Sequence, residues 1–148
     1  MTTTAPTTNG RVIALAHYSA RALLEGVLTR HGATFEQSVT LRAVAVAGDS
    51  VGRDGLVADV VGSLKTGEPA VRGVIDGLTA TGLLEEDPAD ASRLRLTDAG
   101  RELYETTTAE TAAISGRLYA DIPAEDLAVA GRVLTLLTAR ANAELAKA

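Results

Sequence analysis

The stretch VVGSLKTGEPAVRGVIDGLTATGLL at residues 60–84, followed by RLRLTDAGRELY at residues 93–104, decides the fold. Val71, Val74, Ile75 and Leu78 fall at i, i+3, i+4 and i+7, the spacing of one buried helix edge. Arg72, Gly73, Asp76 and Gly77 then share the opposite edge, free to meet something other than the core. Val57, Val60, Val61 and Leu64 mark a helix just before it, and Lys65, Thr66 and Gly67 supply the turn. Pro69 suits the first turn of the second helix, where its missing N–H costs nothing. Two short helices, the second with one sunk and one presented edge, make a helix-turn-helix. Gly82 ends it with a left-handed cap. Two alternating segments follow, Leu83 to Asp87 and Arg93 to Thr97, separated by PADAS. They read as a hairpin with Leu94 and Leu96 inward and Arg93 and Arg95 outward, which makes the motif a winged one.

Working outward, the first ten residues are too polar and too poor in bulky groups to order themselves, so residues 1–10 are expected to be a disordered tail. From Arg11 to about Arg30, Ile13, Ala16, Ala20, Leu23, Leu24 and Val27 mark one face of a long helix that stops near Gly32. Thr34 and Gln37 stand in capping-box spacing ahead of a second helix. GDSVGRDG, residues 48–55, reads as a loop, with Asp54 as the N-cap of the helix after it. Beyond the hairpin a long helix runs from Asp98 or Ala99 to Tyr119 and breaks at Ile122 and Pro123. The last, from Ala124, repeats Leu127, Ala130, Leu134, Leu137 and Ala141 at close to heptad spacing, a stripe that needs a partner helix.

The totals agree with a helical reading. The chain has 148 residues, about one domain's worth, and is 46 % hydrophobic but only 3 % aromatic, so Ala, Val and Leu must build the core. It has no cysteine, which removes disulfides, thiolate nucleophiles and cysteine-based zinc sites. No apolar run approaches the roughly 20 residues of a membrane span, and MTTTAPTTNG lacks the basic start of an export signal. A cytoplasmic protein with no membrane partner is expected. The net charge of −5 argues against a broadly basic coat, so any DNA-facing positive patch must be small.

No nucleophile is set up for catalysis: there is no Gly-x-Ser-x-Gly elbow and no phosphate loop followed by lysine. Gly48, Gly52 and Gly55 have no expected strand before them and no basic group in place after them. His17 and His31 lie far apart with no carboxylate at metal-ligand spacing. The expectation is a non-enzyme with no cofactor and no metal.

TFEQSVTLRAV, VVGSLKTGEPAVRGVIDGLTATGLL and RLRLTDAGRELY, in that order along residues 11–145, resemble the MarR family of bacterial transcriptional regulators. LTDAGRELY after the GLL strand start is the most specific piece. The resemblance implies one domain over residues 11–148, with a winged helix-turn-helix lobe over about 34–100 and dimerisation helices over 11–32 and 101–148. It implies a homodimer on double-stranded DNA, each subunit reading half of a pseudopalindrome, and a repressor whose DNA is released by a small aromatic or phenolic ligand. Leu127, Leu134, Leu137 and Ala141 would then hold the two copies together.

Arg72 is the candidate base contact, because a guanidinium can pair in a bidentate way with guanine O6 and N7. Its competing partners are Glu68 and Asp76, each four residues away. Lys65, Thr66 and Thr79 are candidates for phosphate contacts from the turn and helix, as is Arg53 from the preceding loop. Arg93 and Arg95 could reach phosphate from the wing, or pair with Glu85 and a neighbouring acid across the ladder. His17, Tyr18, Arg21 and His31 could anchor a ligand, or lie on the surface or in an interface. The recognition helix carries Arg72 as its one cation, and the hairpin carries Glu85, Glu86, Asp87 and Asp90. That balance keeps a second reading open: a dimeric ligand-binding or protein-interaction module on this scaffold with weak or no DNA binding.

Overall fold

A computed structural model describes residues 4–148; residues 1–3 of the expected tail lie outside the described residues. The element order is α1 (Gly10–Arg30), α2 (Phe35–Val46), β1 (Ser50–Gly52), α3 (Arg53–Leu64), α4 (Glu68–Ala80), β2 (Leu84–Asp87), β3 (Asp90–Leu96), α5 (Asp98–Leu118) and α6 (Ala124–Lys147). The chain divides into two compact units, one ending at Ala112 and the other comprising Ala113–Ala148.

In the first unit α2, α3 and α4 pack on one another, and the sheet closes beneath them. Its core joins Leu41 and Val44 of α2, Leu56, Val57 and Val60 of α3, Val71, Ile75 and Leu78 of α4, and Leu84, Leu94 and Leu96 of the sheet. Burial of these aliphatic side chains, each about 1.5–3 kcal/mol relative to exposure, is the main force holding the lobe. The α4 edge expected to be sunk is sunk, with Val74 half-buried beside the others.

Local chemistry sets the boundaries. The capping box forms as the spacing predicts, Gln37 N–H donating to Thr34 Oγ1 and Thr34 N–H to Gln37 Oε1. Gly32 (φ 70°) and Gly82 (φ 77°) take the left-handed conformation that ends α1 and α4, and the next N–H reaches back to Leu28 and Leu78 respectively. The first helix starts earlier than expected: Asn9 is its N-cap, accepting from Val12 N–H at 3.0 Å, and Gly10 is its first residue.

Three expectations are corrected in the segment 48–55 and at the wing. GDSVGRDG is not all loop: Ser50–Gly52 is a strand, pairing Ser50 with Arg95, Val51 with Leu94 and Gly52 with Arg93. The wing sheet therefore has three antiparallel strands in the order β1-β3-β2. Three residues are too few to show period-2 alternation, and β3, which supplies the pairing, lies some forty positions downstream. Asp54 is not the N-cap; that position is Gly52, and Arg53, expected in the loop, opens α3. PADAS is only partly a turn, since Asp90 already belongs to β3. Asp87 and Asp90 accept from the N–H groups of Ala89 and Ser92, and these local bonds tighten the tip.

The second unit leaves α6 without a buried residue. Leu134 and Leu137 are 43 % and 40 % exposed, Ala141 is exposed and Leu127 half-buried. On α1 the expected apolar face is only partly covered: Val27 is buried and Ile13 and Leu24 are half-buried, whereas Ala16, Ala20 and Leu23 are exposed.

Candidate nucleic-acid interface

The presented edge of α4 is built by the same spacing that buries its other edge, so Arg72, Gly73 and Asp76 are exposed where Val71, Ile75 and Leu78 are not. Arg72 does not stand free. Its Nε donates to Glu68 Oε1 at 2.9 Å, Nη2 stands 2.7 Å from the same oxygen, and Asp54 Oδ1 of α3 lies 3.6 Å from Nη2. The hydrogen bond to Glu68 and the two negative charges hold the guanidinium above its ordinary pKa. Of the two competitors expected from spacing, Glu68 is the partner and Asp76 is not; Asp54 was legible only once α3 and α4 were packed. Such an exposed pair is weak and screened by salt, so a strong acceptor can displace it.

The other sites divide into groups that point outward and groups already engaged. Lys65 is exposed and left-handed (φ 55°) at the helix-turn-helix turn, its Nζ bonded to Gly62 O. Thr79 is exposed, with its hydroxyl donating to Ile75 O at 2.9 Å. Arg53 lies 3.9 Å from Glu86. Arg95 meets Glu85 at 2.8 Å, the expected cross-strand pair.

Arg93 takes a partner that the sequence reading did not supply. Nε donates to Ser50 Oγ and Nη2 to Ser50 O, while Ser50 Oγ donates to Asp87 Oδ2. One residue from each strand is thus joined across the wing, and Ser50 was hidden because β1 read as loop. The Asp87 carboxyl is held below the usual range by the Ala89 N–H first and then by the Ser50 hydroxyl, with Arg95 and Arg93 adding charge. Asp90 is likewise lowered by the Ser92 hydroxyl and N–H.

The four candidate ligand anchors take separate partners. His17 and Tyr18 are exposed neighbours with ring centroids 6.0 Å apart. Arg21 lies over the Phe35 ring at 4.0 Å and pairs with Glu25 and Glu36. His31 Nε2 lies 2.8 Å from Glu110 Oε1, and Arg30 donates to Glu110 Oε2 at 2.9 Å. Of the four, Arg21 lines a cavity of about 140 Å³, whose rim also holds Glu36 and Thr66 and whose apolar wall is Val60, Leu64, Ala70, Val71 and Val74. Thr66, expected to contact phosphate, is half-buried in the lining of this cavity. Among the described residues there is no cluster of His, Asp and Glu able to hold a metal, and no helix is long and apolar enough to cross a membrane.

The wing-to-helix junction carries the most demanding geometry. A Cβ on Gly100 would fall 2.0 Å from the Leu83 carbonyl oxygen. That oxygen accepts from Thr97 N–H, while Thr97 Oγ1 donates to Gly82 O and accepts from Gly100 N–H. The LTDAG phrase is therefore the device that seats α5 on the strand start of β2.

No family model matches the chain, and no curated protein sequence does. Solved structures do match, among them MarR from E. coli and a transcriptional regulator of the MarR family from Rhodococcus sp. RHA1. The chain has the MarR fold. A serine-for-cysteine mutant of MarR from E. coli complexed with operator DNA is 20 % identical, with a TM-score of 0.69 over 86 % of this chain and 91 % of that one. CouR from Rhodococcus jostii RHA1 bound to p-coumaroyl-CoA is 20 % identical, with a TM-score of 0.73 over 87 % and 90 %. NadR in complex with 4-hydroxyphenylacetate is 20 % identical, with a TM-score of 0.70 over 93 % and 98 %. The resemblance read from sequence thus extends to the backbone, and a winged helix-turn-helix in the MarR fold is what positions Arg72, the turn and the wing.

Proposed function

We propose that the protein is a cytoplasmic DNA-binding transcriptional regulator, a homodimeric repressor that reads a pseudopalindromic operator and releases it when a small aromatic or phenolic ligand binds. The observation that carries this reading is α4, one edge sunk in the lobe and the other presenting Arg72 beside a three-stranded wing. Arg72 reads a base; Lys65, Thr66, Thr79, Arg53 and the wing arginines Arg93 and Arg95 address phosphates. The domain is single, residues 11–148, and dimerises through the uncovered stripe of Leu127, Leu134, Leu137 and Ala141. A ligand in the cavity under Arg21 touches Thr66, Val71 and Val74, so its occupancy bears on the seat of the recognition helix. Outer partners for such a ligand are His17, Tyr18 and His31. The MarR, CouR and NadR structures support the DNA and aromatic-ligand parts by fold only.

A second reading, a dimeric ligand-binding or protein-interaction module with little DNA affinity, is favoured by the carboxylates engaging Arg72, Arg95 and Arg53. One experiment separates the two. Sheared genomic DNA captured at low salt by the wild-type protein and by Arg72→Ala is sequenced. The regulator reading predicts a few enriched loci that Arg72→Ala loses; recovery at background by both proteins overturns it and leaves the second reading standing.

A further inference from the structure

We infer that Glu68 is a positioning residue for base reading, fixing which edge of the Arg72 guanidinium the recognition helix offers. This rests on the DNA-reading role proposed for Arg72. A guanidinium has five N–H donors in a rigid fork, on a stem that is costly to immobilise. Glu68 Oε1 takes Nε and stands against Nη2, closing one edge of that fork. Asp54 Oδ1 lies 3.6 Å from Nη2, at the margin of hydrogen-bond length, so it is the weaker and more easily displaced of the two carboxylates. Nη1 has no partner among the described residues. Nη1 and the outer N–H of Nη2 are therefore the pair of donors that Glu68 leaves to be offered, and two parallel donors are what guanine O6 and N7 accept.

A carboxylate at this place has two opposite consequences, and they are separable. As a simple electrostatic brake it would weaken binding to every duplex alike, because phosphate repulsion carries no sequence information. As a positioning group it sharpens one base pair. The geometry favours the second, since Glu68 is one helical turn from Arg72 and sets one oxygen against two nitrogens, leaving Nη1 free of it and Nη2 facing only the more distant Asp54 at the other end of the fork.

The test enriches duplexes from a random-sequence pool with full-length wild type, Glu68→Ala, Glu68→Gln and Arg72→Ala. The expected result is a guanine preference at one base pair of each half-site that is about tenfold or more in the wild type and flattened by Arg72→Ala. Glu68→Ala flattens that same base pair and spares the others, while Glu68→Gln, which keeps an acceptor oxygen for Nε, restores most of the preference. A merely structural role would weaken all positions together and overturns the inference. So does an unchanged preference in Glu68→Ala, a uniform gain at every position, or a Glu68→Gln profile no better than that of Glu68→Ala. Failure of the wild type to enrich any duplex overturns the DNA-reading role itself and this inference with it, an outcome distinct from the other four.

Discussion

At the scale of single residues, the first unit is held in part by side chains whose partners come from distant parts of the chain. Glu110 of α5 receives His31 and Arg30 from the end of α1, and they hold its carboxyl below the ordinary glutamate range, His31 contributing most. A carboxyl lowered by folding binds fewer protons in the folded state. Its contribution is therefore complete above the unfolded glutamate value and is lost as pH falls through the folded one. Thermal unfolding of Glu110→Gln should start below wild type at about pH 7 and close on it as pH falls through and below the ordinary glutamate range. A gap that stays constant across that interval would show that the carboxylate's charge is not what joins α1 to α5. Nothing in the sequence marked this contact, because i to i+79 pairs leave no periodic trace. The Arg21–Glu25 pair, by contrast, has a helical spacing that can be read directly.

At the scale of elements, the helices were legible because their signals are local: a capping box at Thr34, left-handed glycines at 32 and 82, and the i, i+3, i+4, i+7 edge of α4. The strand β1 was not, since its stability comes from β3 rather than from its own three residues. The same omission hid Ser50 as the partner of Arg93, so the wing arginine was expected opposite an acid that it does not meet. Residue identity alone marked Gly100 only as part of a resembling phrase; the packing gives the reason. With the Leu83 carbonyl where a Cβ would stand, Gly100→Ala forces backbone apart at the hinge between wing and α5 and should cost about 3 kcal/mol in urea unfolding. Gly73 and Gly77, whose Cβ positions meet nothing within 4 Å, are the controls and should tolerate alanine. A Gly100→Ala protein as stable as wild type would contradict the close approach.

At the scale of the whole molecule, the proposed DNA binding by 148 residues with a net charge of −5 has few cations to draw on, several of them engaged by carboxylates. A dimer doubles every contact and fixes the spacing of the two reading helices, which is how a weak half-site becomes a specific site. The uncovered apolar stripe of α6 is the element assigned to that pairing. Leu134→Asp with Leu137→Asp should sediment as a single subunit and lose operator binding together, while the lobe keeps its far-ultraviolet spectrum. A double variant that stays dimeric would move the interface elsewhere.

The central claim is that α4 enters DNA in two symmetric copies, and hydroxyl-radical footprinting of the full-length protein on a duplex it enriches tests this most directly. Two protected patches on one face of the duplex, about one helical turn apart from centre to centre, are expected, with both lost in Arg72→Ala. A single unpaired patch, or even protection along the whole duplex that Arg72→Ala leaves unchanged, would contradict the claim.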